Sequence, residues 1–235
     1  MRISLSATNP CHVWDLAVAL HELGHLGTYY SGYPGWKLRE SAKVGKCEGK
    51  KDQPPSHLNT PNPSHLNTFT PSHLNTFTPS HLNTLTPSHI PTLFPSHFKS
   101  FPLRTLITYG LLKLPERFRP SQERLYPWQD YHFDKRVARN LEPADFIHGL
   151  PGQCRDTFRR ARELGIRPVL NHASGPVREQ LRILAEERKQ RGLPEPRLTR
   201  FDAEYFARED EEYALAAYHC CASTVVRDQL VAYGV

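Results

Sequence analysis

A chain of 235 residues is long enough to bury a full hydrophobic core in one or two domains. Hydrophobic residues make up only 38% and prolines number 21, but that proline surplus is confined to one central segment, so the rest has an ordinary globular composition. The net charge of +6 is spread over mixed-charge helices such as 155–162 and 178–191, which argues against a nucleic-acid footprint, since that would need basic clusters with aromatics.

The N-terminus, Met1-Arg-Ile-Ser-Leu-Ser-Ala7, turns polar too soon for a signal peptide, and no apolar run approaches membrane-spanning length. A soluble cytoplasmic protein is expected, and its charge allows peripheral attraction to an anionic membrane surface. Residues 2–6 read as a strand. Asn9-Pro10 reads as an N-cap with a first-turn proline, opening a helix that places Val13, Leu16, Ala17, Leu20 and Leu23 on one face. Gly24 or Gly27 ends it, and Gly27-Thr-Tyr-Tyr-Ser31 is the second strand.

From Glu40 the pattern breaks. Pro-Ser-His recurs at Pro55, Pro63, Pro71, Pro79, Pro87 and Pro95, eight residues apart. Each unit offers one or two apolar residues and a proline that interrupts backbone pairing, so residues 40–102 read as a disordered insertion rather than a solenoid. Its repeated histidines read as copies of one duplicated block rather than as metal ligands. After it come a short helix over 103–114, a loop over 115–126 and a helix over 128–141.

Asp145-Phe-Ile-His-Gly149, Arg167-Pro-Val-Leu-Asn-His172 and Tyr218-His-Cys-Cys-Ala222 are short apolar strands, each leading to an amphipathic helix. This alternation predicts an α/β fold: a Rossmann-like parallel sheet with helices on both faces and ligands beyond the strand C-termini. Residues 1–39 and 103–235 then form one domain around the insertion. The acidic run Glu209-Asp-Glu-Glu212 reads as a solvated helix face. The five cysteines are odd in number and unevenly spaced, which suits a reducing compartment. Cys220 and Cys221 read as buried strand residues. With His219 they cannot converge on one metal, because neighbouring strand residues point to opposite faces.

Chemistry is expected at three strand ends. The turn Ala7-Thr8-Asn9-Pro10 presents helix N-terminal N–H groups suited to phosphate, without a glycine-rich fingerprint, and Asn9 as a plain N-cap is an equal reading. His148, followed by Gly149-Leu-Pro-Gly152, can open to a cleft and act as a base near neutral pH. His172 and Ser174 can line the same cleft, but no Gly-x-Ser-x-Gly elbow and no acid partner mark a hydrolase.

An ordered set of segments carries a resemblance. It comprises Leu16-Ala-Val-Ala-Leu-His-Glu-Leu-Gly-His25, Ala144-Asp-Phe-Ile-His-Gly149, Val169-Leu-Asn-His-Ala-Ser-Gly-Pro176, Arg200-Phe-Asp-Ala-Glu-Tyr205 and the stretch from Ala217 to Leu230. Together they resemble the N-terminal, acceptor-side domain of group 1 (family 4) glycosyltransferases of the GT-B fold. The resemblance implies two facing Rossmann-like domains that transfer a sugar from a nucleotide-sugar to a glycan or lipid-linked acceptor. It implies retention of configuration, no catalytic metal and no cofactor beyond the nucleotide-sugar co-substrate. It assigns Ala7, Thr8, Asn9 and Pro10 to the donor diphosphate, His148 with Gly149 to the reacting centre, and His172 with Ser174 to further cleft contacts. The insertion has no counterpart in the family pattern. The sequence stops at Val235, about where a linker to the donor-binding domain is expected, so little activity is expected from this polypeptide alone. The other reading is a non-catalytic binding module for a glycan or partner protein.

Overall fold

The computed structural model describes residues 1–9, 11–35, 96–195, 198 and 200–235. Pro10, Cys47 and the repeats up to Pro95 lie outside these residues. The elements run β1 (Ile3–Ala7), α1 (Val13–Glu22), β2 (Leu26–Ser31), β3 (Phe98–Ser100), α2 (Leu103–Leu112), a 3₁₀ turn (Glu116–Phe118) and α3 (Gln122–Arg139). They continue with β4 (Phe146–Gly149), α4 (Arg155–Glu163), β5 (Arg167–His172), α5 (Val177–Gln190), α6 (Arg200–Leu215), β6 (Tyr218–Cys221) and α7 (Thr224–Tyr233).

The six strands form one all-parallel sheet in the order β3-β2-β1-β4-β5-β6. This is the Rossmann-like α/β architecture expected from the strand and helix alternation. Parallel crossovers are right-handed, and the chain steps one way from β1 to β2 and the other way from β3 onward. The connecting helices therefore fall on opposite faces. α1 covers one face, where Leu5, Ala7 and Tyr29 pack with Val13, Ala17 and Leu20. α3, α4 and α6 cover the other, where Tyr30, Ile147 and Leu170 pack with Phe133, Val137, Phe158, Ala161 and Tyr213. Strands buried on both sides carry little polar alternation, as in the fully buried β2.

Several expectations need correction. The insertion does not extend to residue 102: Phe98–Ser100, the last decayed repeat, is the edge strand β3, with Phe98 opposite Tyr29 and Ser100 opposite Ser31. Phe98–Ser100 contains no proline, so its residues can join the ladder. α3 begins at Gln122, not residue 128. Pro127 sits in its second turn, where a missing N–H leaves only one carbonyl without its helical partner, so the helix runs through it. α1 begins at Val13 with His12 at the cap position, so Asn9 is not its N-cap. The run Glu209–Glu212 is not a solvated face, because Glu209 and Glu212 are both buried. Cys220 is exposed and Cys221 partly buried, not core residues. Among the described residues no helix is long and apolar enough to cross a membrane.

Candidate functional site

The strand order reverses between β1 and β4, which lie side by side with Leu5 opposite His148. In an open parallel sheet the two loops leaving such a pair diverge to opposite faces, and the gap between them is the usual ligand crevice. Here the loops are 8–12 after β1 and 150–154 after β4.

On the β1 side, the Thr8 backbone N–H donates to Gln153 Oε1 at 2.9 Å and so ties the two loops together. The Asn9 Oδ1 is buried, with no partner among the described residues. The cap residue His12 makes no side-chain cap to α1, and its ring accepts from the Asn171 amide at 3.2 Å. Asn171 lies on the sheet face shared with His148 and α1, since Val169 pairs with His148 and residues alternate from there.

His148 is partly exposed, and among the described residues its Nδ1 has no partner. Burial lowers its pKa below the ordinary value, and no charged neighbour acts on the ring, so it is neutral at physiological pH and free to accept a hydrogen bond. The glycines beyond it have separate reasons. A Cβ on Gly149 would sit 2.6 Å from the Cys154 Cβ, so only glycine lets the loop fold back over the strand end. Gly152 has φ +82°, and a Cβ there would sit 2.5 Å from the Tyr205 ring.

Beneath the second loop lies a buried charge frame that sequence reasoning missed. Glu212 of α6 accepts from the backbone N–H groups of Gly152 (2.5 Å), Cys154 (3.0 Å) and Arg155 (2.9 Å). Asp134 of α3 accepts from those of Asp156 and Thr157, both at 2.8 Å. Arg208 of α6 joins the two carboxylates: it pairs with Asp134, lies 3.3 Å from Glu212, and donates from Nε to the Gly152 carbonyl at 3.0 Å. Burial pushes the Glu212 carboxyl up to about 7, against the pull of Arg208 and two loop N–H groups. The consequence is an asymmetry at the crevice. The N-terminus of α4 is already filled by the protein's own carboxylates, whereas that of α1 has no side-chain cap.

Asp130 of α3 is a further residue the sequence did not reveal. Burial raises its carboxyl to about 7, partly offset by the Thr8 hydroxyl and by Arg208, so its charge changes near neutrality at the crevice rim.

The structure does not bring His172 into this crevice. It pairs with Cys221 and lies one residue beyond Asn171, hence on the opposite face, fully buried with Nε2 3.0 Å from His219 Nδ1 and the two rings stacked. Ser174 is exposed and accepts from the Gln180 amide at 3.2 Å. Burial, reinforced by His219, lowers the His172 pKa from 6.5 to about 4. A folded-state value below the unfolded one means the unfolded chain binds the extra proton, so stability is complete above the unfolded pKa and falls as pH drops toward 4. The expected result is that the stability advantage of wild type over His172→Gln shrinks by about 3 kcal/mol between pH 7 and pH 4, at ~1.4 kcal/mol per pKa unit. Urea unfolding at the two pH values measures it. An unchanged difference would show that His172 titrates normally.

No family model, curated protein or solved structure matches the chain.

Proposed function

We propose that the chain is the acceptor-side lobe of a retaining GT-B-type glycosyltransferase, working with a donor-binding lobe to move a sugar from a nucleotide-sugar to a glycan or lipid-linked acceptor. The observation that carries this reading is the crevice itself. The β1 loop and His148 leave adjacent strands, and the helix terminus facing the β1 loop is uncapped while its counterpart at β4 is filled. A diphosphate held at Thr8 and Asn9 would lie against the open α1 terminus, where N–H groups favour anions. His148, neutral and with no partner at Nδ1 among the described residues, would accept a hydrogen bond from the acceptor hydroxyl or the transferring sugar. Asn171 and His12 would border that position from β5 and α1. Pro10 belongs to the same turn by sequence. Transfer through such a site depends on positioning and on charge stabilisation of the leaving phosphate, which need both lobes.

A nucleotide-release assay across a panel of sugar nucleotides and saccharide acceptors tests it, with the chain alone and co-expressed with a donor lobe. Release only in the co-expressed, acceptor-containing reactions is the expected result. Absence of release in every combination, with no saccharide binding by the chain, would overturn it. One observation favours a non-catalytic binding module instead: no charged group acts on the His148 ring, so nothing strengthens it as a base. Saccharide binding without turnover in any combination would establish that alternative.

Asp130 adds a pH signature. Its carboxyl gains charge as pH rises through about 7, beside the loop assigned to the diphosphate. Affinity for a nucleoside diphosphate should fall about tenfold from pH 6 to pH 8, roughly the cost of one nearby like charge. Asp130→Asn should abolish the dependence, measured by calorimetric titration at both pH values. A variant that keeps the wild-type slope would remove Asp130 from the site.

A further inference from the structure

Away from the crevice, α2, α3 and the segment following the edge strand β3 enclose a cleft of about 580 Å³. Its lining includes Arg104 of α2 and His132, Lys135, Arg136 and Arg139 of α3. The volume lies within the ordinary range for small-molecule sites. Three guanidinium groups and one ammonium thus face a single space. Among the described residues none of the four pairs with a carboxylate. The ion pair at this sheet edge between Lys99 and Glu142, at 2.7 Å, satisfies its own members.

Two of the three arginines are held against aromatic rings. The Arg104 guanidinium lies 4.7 Å from the Trp128 ring centre and that of Arg136 lies 5.9 Å from the Phe101 ring centre. Stacking fixes the plane of a guanidinium while leaving its edge N–H groups free to donate, which is the geometry suited to bidentate phosphate contacts. The cations also sense one another: after burial, the charges of Arg104 and Lys135 depress the His132 pKa. Elsewhere on the surface, arginines such as Arg159, Arg160, Arg178, Arg182 and Arg191 are paired with acids. What distinguishes this cleft is that four cations without a carboxylate partner among the described residues line one space.

We propose that this cleft binds a multiply charged phosphoryl group, carried either by a soluble phosphorylated metabolite or by a lipid headgroup. Four cations, two of them positioned by aromatic rings, match two or more phosphate charges better than a single carboxylate. The site is independent of the crevice, so its failure would leave the transferase reading standing.

Calorimetric titration with inorganic tripolyphosphate, in parallel with citrate, tests it on the whole chain. Saturable one-to-one binding of tripolyphosphate is expected, with citrate much weaker. Arg104→Gln combined with Arg136→Gln should weaken tripolyphosphate at least about thirtyfold, as expected for losing two charge-assisted contacts. Arg160→Gln combined with Arg191→Gln, the same charge change on α4 and beyond α5, should alter it less than about twofold. If the first pair does not fold, the exposed pair Lys135→Gln with Arg139→Gln replaces it, with the same expected loss. Sedimentation with vesicles containing phosphatidic acid separates the sources: cleft-dependent binding to vesicles assigns a lipid, and binding of tripolyphosphate alone assigns a soluble ligand. Equal losses in the cleft and control variants, citrate binding as tightly as tripolyphosphate, or no binding of either probe would each overturn the proposal.

Discussion

Arg208→Ala is expected to destabilise the fold by about 3–5 kcal/mol, the usual cost of removing one partner from a buried ion pair. Arg208 is 2% exposed, and Asp134 and Glu212 are each 0% exposed. Removing the guanidinium strands two carboxylates away from water, opens space beneath the Tyr131 ring, and leaves the Gly152 carbonyl without its donor. The exposed arginine Arg159, paired with Glu211, provides the comparison: Arg159→Ala should cost less than about 1 kcal/mol, as surface ion pairs do. Urea unfolding of the three proteins measures both. A loss below about 1 kcal/mol for Arg208→Ala would mean that the frame does not hold the β4 loop. The effect should reach function too, because Glu212 and Arg208 fix the loop that follows His148.

The second large effect is expected at His148. In the reconstituted transfer assay, His148→Ala should lower kcat at least about a hundredfold with little change in donor KM, in the range seen for a lost proton-handling group. Stability should barely change, since the ring is partly exposed and its Nδ1 bonds nothing. Its pKa is depressed, so the ring stays neutral above the ordinary histidine range and activity should be flat there, declining only in acid as the ring protonates. His148→Gln, which keeps an acceptor, should recover part of the loss. Activity of His148→Ala within about threefold of wild type would remove His148 from the reacting centre.

The sheet was legible in the sequence because its strands are short apolar runs separated by helices whose apolar residues recur with helical spacing, as Val13, Ala17 and Leu20 do on α1. β3 was not, because three residues of a decayed repeat carry no signal of their own; its pairing with β2 makes it a strand. The start of α3 was hidden by Pro127, which sequence rules treat as a boundary although an early turn tolerates it. His148 was legible only as a strand-end residue; its place beside the β1 loop comes from the adjacency of β1 and β4, which strand and helix alternation alone does not fix. His172 was misplaced because one residue along a strand changes the face, and neither end of β5 shows in the sequence which residue is last to pair. The charge frame was invisible for a different reason. Arg208 and Glu212 are spaced four apart on one helix, but their meaning depends on Asp134, 74 residues away on α3. A run of four acidic residues on a helix ordinarily faces water. Here two of them face inward: Glu212 accepts from N–H groups at the α4 terminus, and Glu209 accepts from the Val177 N–H at the start of α5.

The central claim is that anions enter at the α1 end of the crevice, because the α4 end is occupied by Glu212 and Asp134. Backbone amide NMR during titration with a nucleoside diphosphate measures this directly. The account predicts shifts concentrated at Thr8, Asn9 and residues 11–14, with the amides of Cys154, Arg155, Asp156 and Thr157 unmoved. Shifts at those four amides, with the β1 loop silent, would contradict it.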